Sequence, residues 1–195
     1  MERRSAVNIQ NSRFVTSAAS PGAFIRDGKP QLVFAGRSNV GKSSVINRLV
    51  NMRGFAKVSG TPGKTAHVNY FLLDDGAYLA DLPGYGYAKV SDAERRRWGE
   101  LMEAYFDSGL VTAGFLIVDS RHKPTADDVT MAGWFAGTGT PVVVVANKLD
   151  KLKKSEVEPN LARIADTLGV ADVLPFSAET GLNRDALVNR LAGFF

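Results

Sequence analysis

The sequence contains no cysteine, which excludes disulfides and thiolate metal sites and suits a reducing compartment. Its two histidines, His67 and His122, stand apart without ligand-spaced partners, so zinc chemistry has little to build on. No apolar run approaches the ~18 residues that suggest a membrane span. The basic start Met1-Glu2-Arg3-Arg4 has no apolar segment behind it, as a secretory signal would require. Glu2 excludes myristoylation, and the end Gly193-Phe194-Phe195 offers no cysteine for prenylation, so no membrane anchor is expected. Net charge is also small: 24 Lys and Arg against 20 Asp and Glu leave +4. That surplus favours a polyanion such as RNA as partner, yet it is modest enough to serve solubility alone. What is present is a 195-residue chain, 45% hydrophobic and 23% charged, suited to one cytoplasmic domain with a full-sized core.

The chain alternates apolar strand-like runs with helical stretches. Residues 1–25 read as an extension laid against the domain, with room for one short strand, and 26–195 as the domain itself. Gln31 to Ala35 is apolar enough for a strand buried on both faces. A helix follows from Lys42 to about Val50, and then a long polar loop, 51–65, of the kind that is usually functional. His67 to Leu73 and Ala77 to Ala80 flank the turn Asp74-Asp75-Gly76 as a hairpin. Ser91 or Asp92 caps a helix to about Asp107. Gly114 to Asp119, Pro141 to Ala146 and Val173 to Phe176 are further strands, and helices start near Thr125, Ser155 and Asn183. This pattern predicts an α/β fold of three layers: a six-stranded, mostly parallel sheet with one antiparallel edge strand and helices on both faces. Ligands of such a sheet sit outside the carboxyl ends of its strands, where residues 36–43, 81–85, 147–150 and 177–178 all fall.

Three of those stretches carry chemistry. Gly36-Arg37-Ser38-Asn39-Val40-Gly41-Lys42-Ser43, with Ser44 behind it, fits G-x-x-x-x-G-K-[ST] between a strand and a helix. Its amides would wrap phosphates, Lys42 would meet the β- and γ-phosphates, and Ser43 would give its hydroxyl to Mg²⁺. Asp81-Leu82-Pro83-Gly84 ends the hairpin's second strand. In nucleotide hydrolases an acid there holds the metal through water and the glycine amide meets the γ-phosphate; turn formation is the plainer alternative. Asn147-Lys148-Leu149-Asp150 selects the base. A carboxylate at Asp150 can accept two parallel hydrogen bonds from the ring N–H and amino group of guanine, a pair that adenine lacks. The Lys148 stem can cover the ring, Asn147 can tether this loop to the phosphate loop, and Ser177-Ala178, after Phe176, can offer amides to the guanine carbonyl.

Together these stretches resemble the signatures of the translation-factor-related GTPases. The remaining signature, a switch threonine that ligates Mg²⁺ in the GTP state, matches Thr65 in Gly63-Lys64-Thr65, with Thr61 as competitor. More narrowly, Phe34 to Ser44, Gly60-Thr-Pro-Gly-Lys-Thr65, Asp81-Leu-Pro-Gly-Tyr-Gly-Tyr87 and Val118-Asp-Ser-Arg-His122 resemble the bacterial EngB (YihA/YsxC) GTPases. The resemblance implies GTP binding with slow hydrolysis, a role in assembling the large ribosomal subunit, and association with cell division and septation. The protein is expected to be a monomer when free and to dock on the pre-ribosomal large subunit, on its rRNA and ribosomal proteins. Asn147 departs from the Thr of many relatives but is the general GTPase choice. Many small GTPases place Gln after Asp-x-x-Gly to orient the attacking water, and Tyr85 stands there instead. The free protein is therefore expected to be slow until a partner, or another element, completes the site. Asn39 resembles the residue that coordinates K⁺ in potassium-activated relatives, with loop stabilisation as the equal alternative.

Two basic runs, Arg95-Arg96-Arg97 and Lys151 with Lys153 and Lys154, fit either solvated helix surface or RNA contact. Two further function classes stay open at this point. One is a division-machinery binding protein that uses GTP as a timer. The other is a small-molecule kinase, against which the guanine motif and the lack of a basic lid both argue.

Overall fold

The computed structural model describes residues 8–56, 67–86 and 91–195. Among them the chain forms β1 (Ser12–Ala18), β2 (Gln31–Gly36), α1 (Lys42–Val50), β3 (Val68–Leu73), β4 (Ala77–Asp81), α2 (Asp92–Asp107), β5 (Val111–Asp119), α3 (Ala126–Gly137), β6 (Val142–Asn147), α4 (Lys154–Leu168), β7 (Val173–Pro175) and α5 (Arg184–Ala192). The strands make one sheet in the order β1-β3-β4-β2-β5-β6-β7. All neighbours pair in parallel except β1 with β3 and β3 with β4.

Alternation along the central strands divides the core into two. Leu32 and Phe34 of β2, with Phe115 and Ile117 of β5, pack toward Val45, Ile46 and Leu49 of α1 and Leu187 and Leu191 of α5. Val33, Ala35, Leu116 and Val118 face the other way, onto Met102 and Tyr105 of α2, Phe135 of α3 and Ile164 of α4. A period-two strand thus serves both faces at once, which is why β2 is buried along its whole length. Phe34 and Phe115 stack at 4.9 Å between centroids across the β2–β5 pairing; each such ring contributes roughly 1.5–3 kcal/mol by burial.

The strand count is seven where the sequence suggests six. β1 lies in the N-terminal stretch and extends the sheet beyond β3, pairing Ser12 with Leu73 and Ala18 with Val68. Its register slips between Phe14 and Thr16, leaving Val15 as an unmatched residue of the kind that blunts an open edge. Helix α4 begins at Lys154 and not at Ser155, because the Lys153 N–H already bonds Glu156 Oε2 at 2.7 Å. Strand β5 likewise starts three residues early, at Val111. No helix among the described residues is long and apolar enough to cross a membrane.

Candidate nucleotide site

Sheet register sets the rim. Phe34 pairs with Tyr78's strand so that Asp81 lies beside it, and Gly36 pairs with Ile117. Asp119 then pairs with Asn147 at the ends of β5 and β6. The chain leaves β2, β4, β5 and β6 at one level, so residues far apart in sequence face a common space.

The loop between β2 and α1 turns twice through left-handed backbone, at Asn39 (φ 68°) and Gly41 (φ 90°), on either side of Val40. Alternating handedness of this sort directs successive N–H groups toward one anion-sized concavity, ahead of the α1 N-terminus. Gly41 has no substitute there: besides its φ, a Cβ would stand 2.5 Å from Asn147 Nδ2. The Ser38 hydroxyl is buried in this loop without a hydrogen-bond partner among the described residues. Gly84 abuts the same hydroxyl, and Ser38 N–H donates to the Tyr85 carbonyl at 2.9 Å. An isolated bridge between Arg37 and Tyr85 completes the seam between the phosphate-type loop and the Asp-x-x-Gly turn.

Lys42 Nζ is ion-paired with Asp81 Oδ1, and both side chains are nearly buried, 11% and 10% exposed. Each charge therefore lies in a poorly hydrated place and depends on an opposite charge nearby. Asp81 also starts the turn: the Leu82 N–H donates to Phe34 O at 3.0 Å, keeping Leu82 and Pro83 against β2.

At the other end, Asn147 is buried and bonded on both sides of its amide. Nδ2 donates to Val40 O at 2.9 Å, and Oδ1 accepts from Ala178 N–H at 3.0 Å. One side chain thus ties the phosphate-type loop, β6 and the segment after β7 together. Lys148 follows in left-handed backbone, φ 70°. Its ammonium reaches Asn39 O at 2.5 Å and Asp119 Oδ2 at 3.0 Å. Asp119 is held as well by Arg121, through Nε at 2.9 Å and Nη2 at 2.8 Å. Burial alone would raise its carboxyl, but the bonds from Arg121 and Lys148 overcome that and hold it well below the ordinary carboxylate range. Asp150 Oδ1 accepts from Ser177 Oγ at 2.6 Å. That hydroxyl lowers the Asp150 pKa against the opposing effect of burial, with Lys151 adding to it. Leu149 N–H donates to Phe176 O at 3.0 Å, fixing Leu149 and Asp150 to the end of β7.

Most of the expected residues are therefore brought to one edge: Gly36 to Ser44, Asp81 to Gly84, Asn147 to Asp150 and Phe176 to Ala178. Gly63, Lys64 and Thr65, with Thr61 and Tyr87, lie outside the described residues. The amide of Ala178, expected to serve a guanine carbonyl, is bonded to Asn147 here. Three contributors went unread in the sequence. Asp119 lies inside the Val118–His122 motif, which does not reveal its role as the seat of Lys148. Asp128 accepts from Tyr85 Oη at 2.7 Å. Trp98 Nε1 donates to Pro83 O at 3.1 Å and its ring stacks on Trp134. A tyrosine at position 85, where other GTPases use glutamine, is the signal that could have prompted a search for such partners. Burial first, then Asp128, raises the Tyr85 phenol far above its usual range, so it is a donor at any ordinary pH.

A turn of phosphate-loop form tied by Asn147 to the segment after β7, at one edge of a mostly parallel sheet, is the arrangement of the P-loop GTPase fold. Residues 31–148 match the family model described as the 50S ribosome-binding GTPase. The probable GTP-binding protein EngB of Clostridium perfringens is 46% identical over 189 residues, 95% of this chain and 96% of the relative. That of Geobacillus kaustophilus is 43% identical over 183 residues, 92% of this chain and 94% of the relative. Among solved structures, a crystal structure of a probable GTP-binding protein engB superposes with a TM-score of 0.70 at 26% identity, covering 84% of this chain and 97% of that one. A structure of Era in complex with MgGDPNP and 16S ribosomal RNA shares the fold, TM-score 0.64 at 24% identity, over 85% of this chain and 56% of that one. The chain belongs to the EngB family of GTP-binding proteins, and its activity is the hydrolysis of GTP.

Proposed function

We propose that the protein is a cytoplasmic, Mg²⁺-dependent molecular switch that binds the pre-ribosomal large subunit during its assembly, and that this work is needed for normal cell division and septation. The observation that carries the switch is the connection of the phosphate end to α2. Asp81 and Pro83 sit in one turn; the Pro83 carbonyl is bonded to Trp98 of α2, and Tyr85 is bonded to Asp128 of α3. A change at the phosphates is thereby passed to α2, whose Arg95, Arg96 and Arg97 are exposed.

The donors fit the metal: the Ser43 hydroxyl and the Asp81 carboxylate are hard oxygens at the start of α1 and the end of β4, as Mg²⁺ prefers. Mg²⁺ would neutralise charge between the β- and γ-phosphates. Ser43 and Thr65 would hold it directly, and Asp81 through water. In binding GTP, Lys42 exchanges its carboxylate partner for phosphate oxygens, which frees Asp81 for that second task. Lys42 and the Gly84 amide then stabilise charge that grows on the transferred group. Tyr85, committed to Asp128, orients no water, so hydrolysis in the free protein is slow. The left-handed backbone at Asn39 accounts for an Asn there, and its backbone carbonyl accepts from Lys148; K⁺ coordination by its side chain is tested by turnover in KCl against NaCl.

The family's description as ribosome-binding supports the partner. Co-sedimentation with large-subunit particles in GTP but not GDP is the expected result. Binding that ignores the nucleotide would reject the switch, and an unchanged large-subunit profile after depletion would reject the assembly role.

A further inference from the structure

The segment that carries Ser177 and Ala178 is anchored from outside its own neighbourhood. Arg48, in the last turn of α1, crosses to it: Nε donates to Ala178 O at 2.7 Å and Nη2 donates to Glu179 O at 2.6 Å. Both carbonyls are taken by one planar guanidinium, a fit that a lysine ammonium cannot reproduce. The return contact runs the other way, from Arg184 Nε to Arg48 O at 3.0 Å. Gly181 (φ +82°) lies against the guanidinium; a Cβ would stand 3.6 Å from Arg48 Cδ in a backbone conformation that side chains rarely adopt. From the clamped segment, Ser177 Oγ donates to Asp150 Oδ1 at 2.6 Å and accepts from Thr180 N–H at 3.1 Å. An uninterrupted set of bonds therefore leads from the helix behind the phosphate-type loop to the carboxylate that selects the base.

We infer that Arg48 is a positioning residue for guanine selection: by fixing residues 178–179 it fixes Ser177, and through it the aim of Asp150. This rests on the reading of Asp150 as the guanine acceptor. A plain packing role is the competing explanation, since a cation near a helix C-terminus also stabilises the helix. The two differ in what they do to selectivity. Loss of packing weakens all nucleotides alike, whereas a misaimed carboxylate loses the extra hydrogen bond that guanine offers and hypoxanthine does not.

The test compares GDP with inosine diphosphate, which lacks the 2-amino group. Both are titrated against the wild type, Arg48→Lys, Arg48→Met and Gly181→Ala, with thermal unfolding of each as control. The wild type is expected to prefer GDP. Arg48→Met should shrink that preference by about tenfold, the value of a charge-assisted hydrogen bond, with Arg48→Lys and Gly181→Ala intermediate. Should Arg48→Met fail to fold, the two milder variants give the same readout. A GDP preference equal to the wild type's in the folded variants, whatever their melting temperatures, overturns the role of Arg48. A wild type that does not distinguish the two nucleotides overturns instead the guanine reading beneath it.

Discussion

At the end of the rim proposed to take guanine each key side chain is already bonded to the protein, whereas at the end proposed for the phosphates two opposite charges are bonded chiefly to one another. Asn147 holds Val40 and Ala178, Lys148 holds Asn39 and Asp119, and Asp150 holds Ser177. Of these bonds, the one from the Ala178 amide to Asn147 is the one a guanine carbonyl would compete for. Lys42 and Asp81 form a pair that, in the proposed reading, a bound phosphate would divide. Under the proposed function the contrast assigns recognition to the first end and switching to the second: a preorganised end contributes affinity at little reorganisation cost, and a pair that would exchange partners on binding can report which nucleotide is bound.

The largest effect should come from breaking the pair at the phosphate end. Lys42→Met leaves Asp81 buried without its cation, and stability should fall by about 3 kcal/mol with nucleotide binding lost. Adding Asp81→Asn should restore most of the stability in urea unfolding while binding stays absent. If the double variant is no more stable than the single one, the two charges do not depend on each other. Next in size is Asn147→Ala, which leaves the Val40 carbonyl and the Ala178 amide unpaired. GDP affinity should drop by roughly 30-fold, about 2 kcal/mol, with stability lowered too. A change under threefold in fluorescent-GDP titration would mean the ends are not joined through this side chain.

Acid should act on the guanine end late. Asp119 and Asp150 are both held below the ordinary carboxylate value in the folded protein. Their contribution is thus complete above the unfolded value of about 3.9 and is lost as pH falls through the lower folded values. Stability of the wild type relative to Asp119→Asn should stay constant from about pH 8 to 5 and narrow below about pH 4. A gap that closes by pH 6 would contradict the assignment. The smallest effect belongs to Tyr85→Phe, which removes one bond to Asp128 and should cost about 1 kcal/mol in stability. Asp128 keeps its bonds from Thr125 N and Oγ1, both at 2.8 Å, which limits the damage.

How legible all this was in the chain depends on how local each interaction is. The run from Gln31 to Val50 could be read nearly to the residue, because strand, turn and helix signals and the phosphate motif occupy consecutive positions. The place of Asn147 to Asp150 at the end of a buried strand was equally plain. β1 was legible only as room for one short strand in the extension; its bounds and partner were not, since its residues are largely exposed and its pairing with β3 spans fifty positions or more and includes an irregular residue. Arg48 reaches across 130 positions to Ala178, and Tyr85 across 43 to Asp128. Nothing local in an arginine near a helix end, or in a helix-capping aspartate, announces such partners; only the fold brings them together.

The most direct measurement is calorimetric titration of GDP, ADP and xanthosine diphosphate into the wild type and into Asp150→Asn. A carboxylate aimed at the base predicts that the wild type takes GDP and ignores ADP. It also predicts that Asp150→Asn loses GDP and gains the xanthine nucleotide, whose carbonyl matches the new amide. Equal binding of GDP and ADP by the wild type, or undiminished GDP binding by Asp150→Asn, would contradict it.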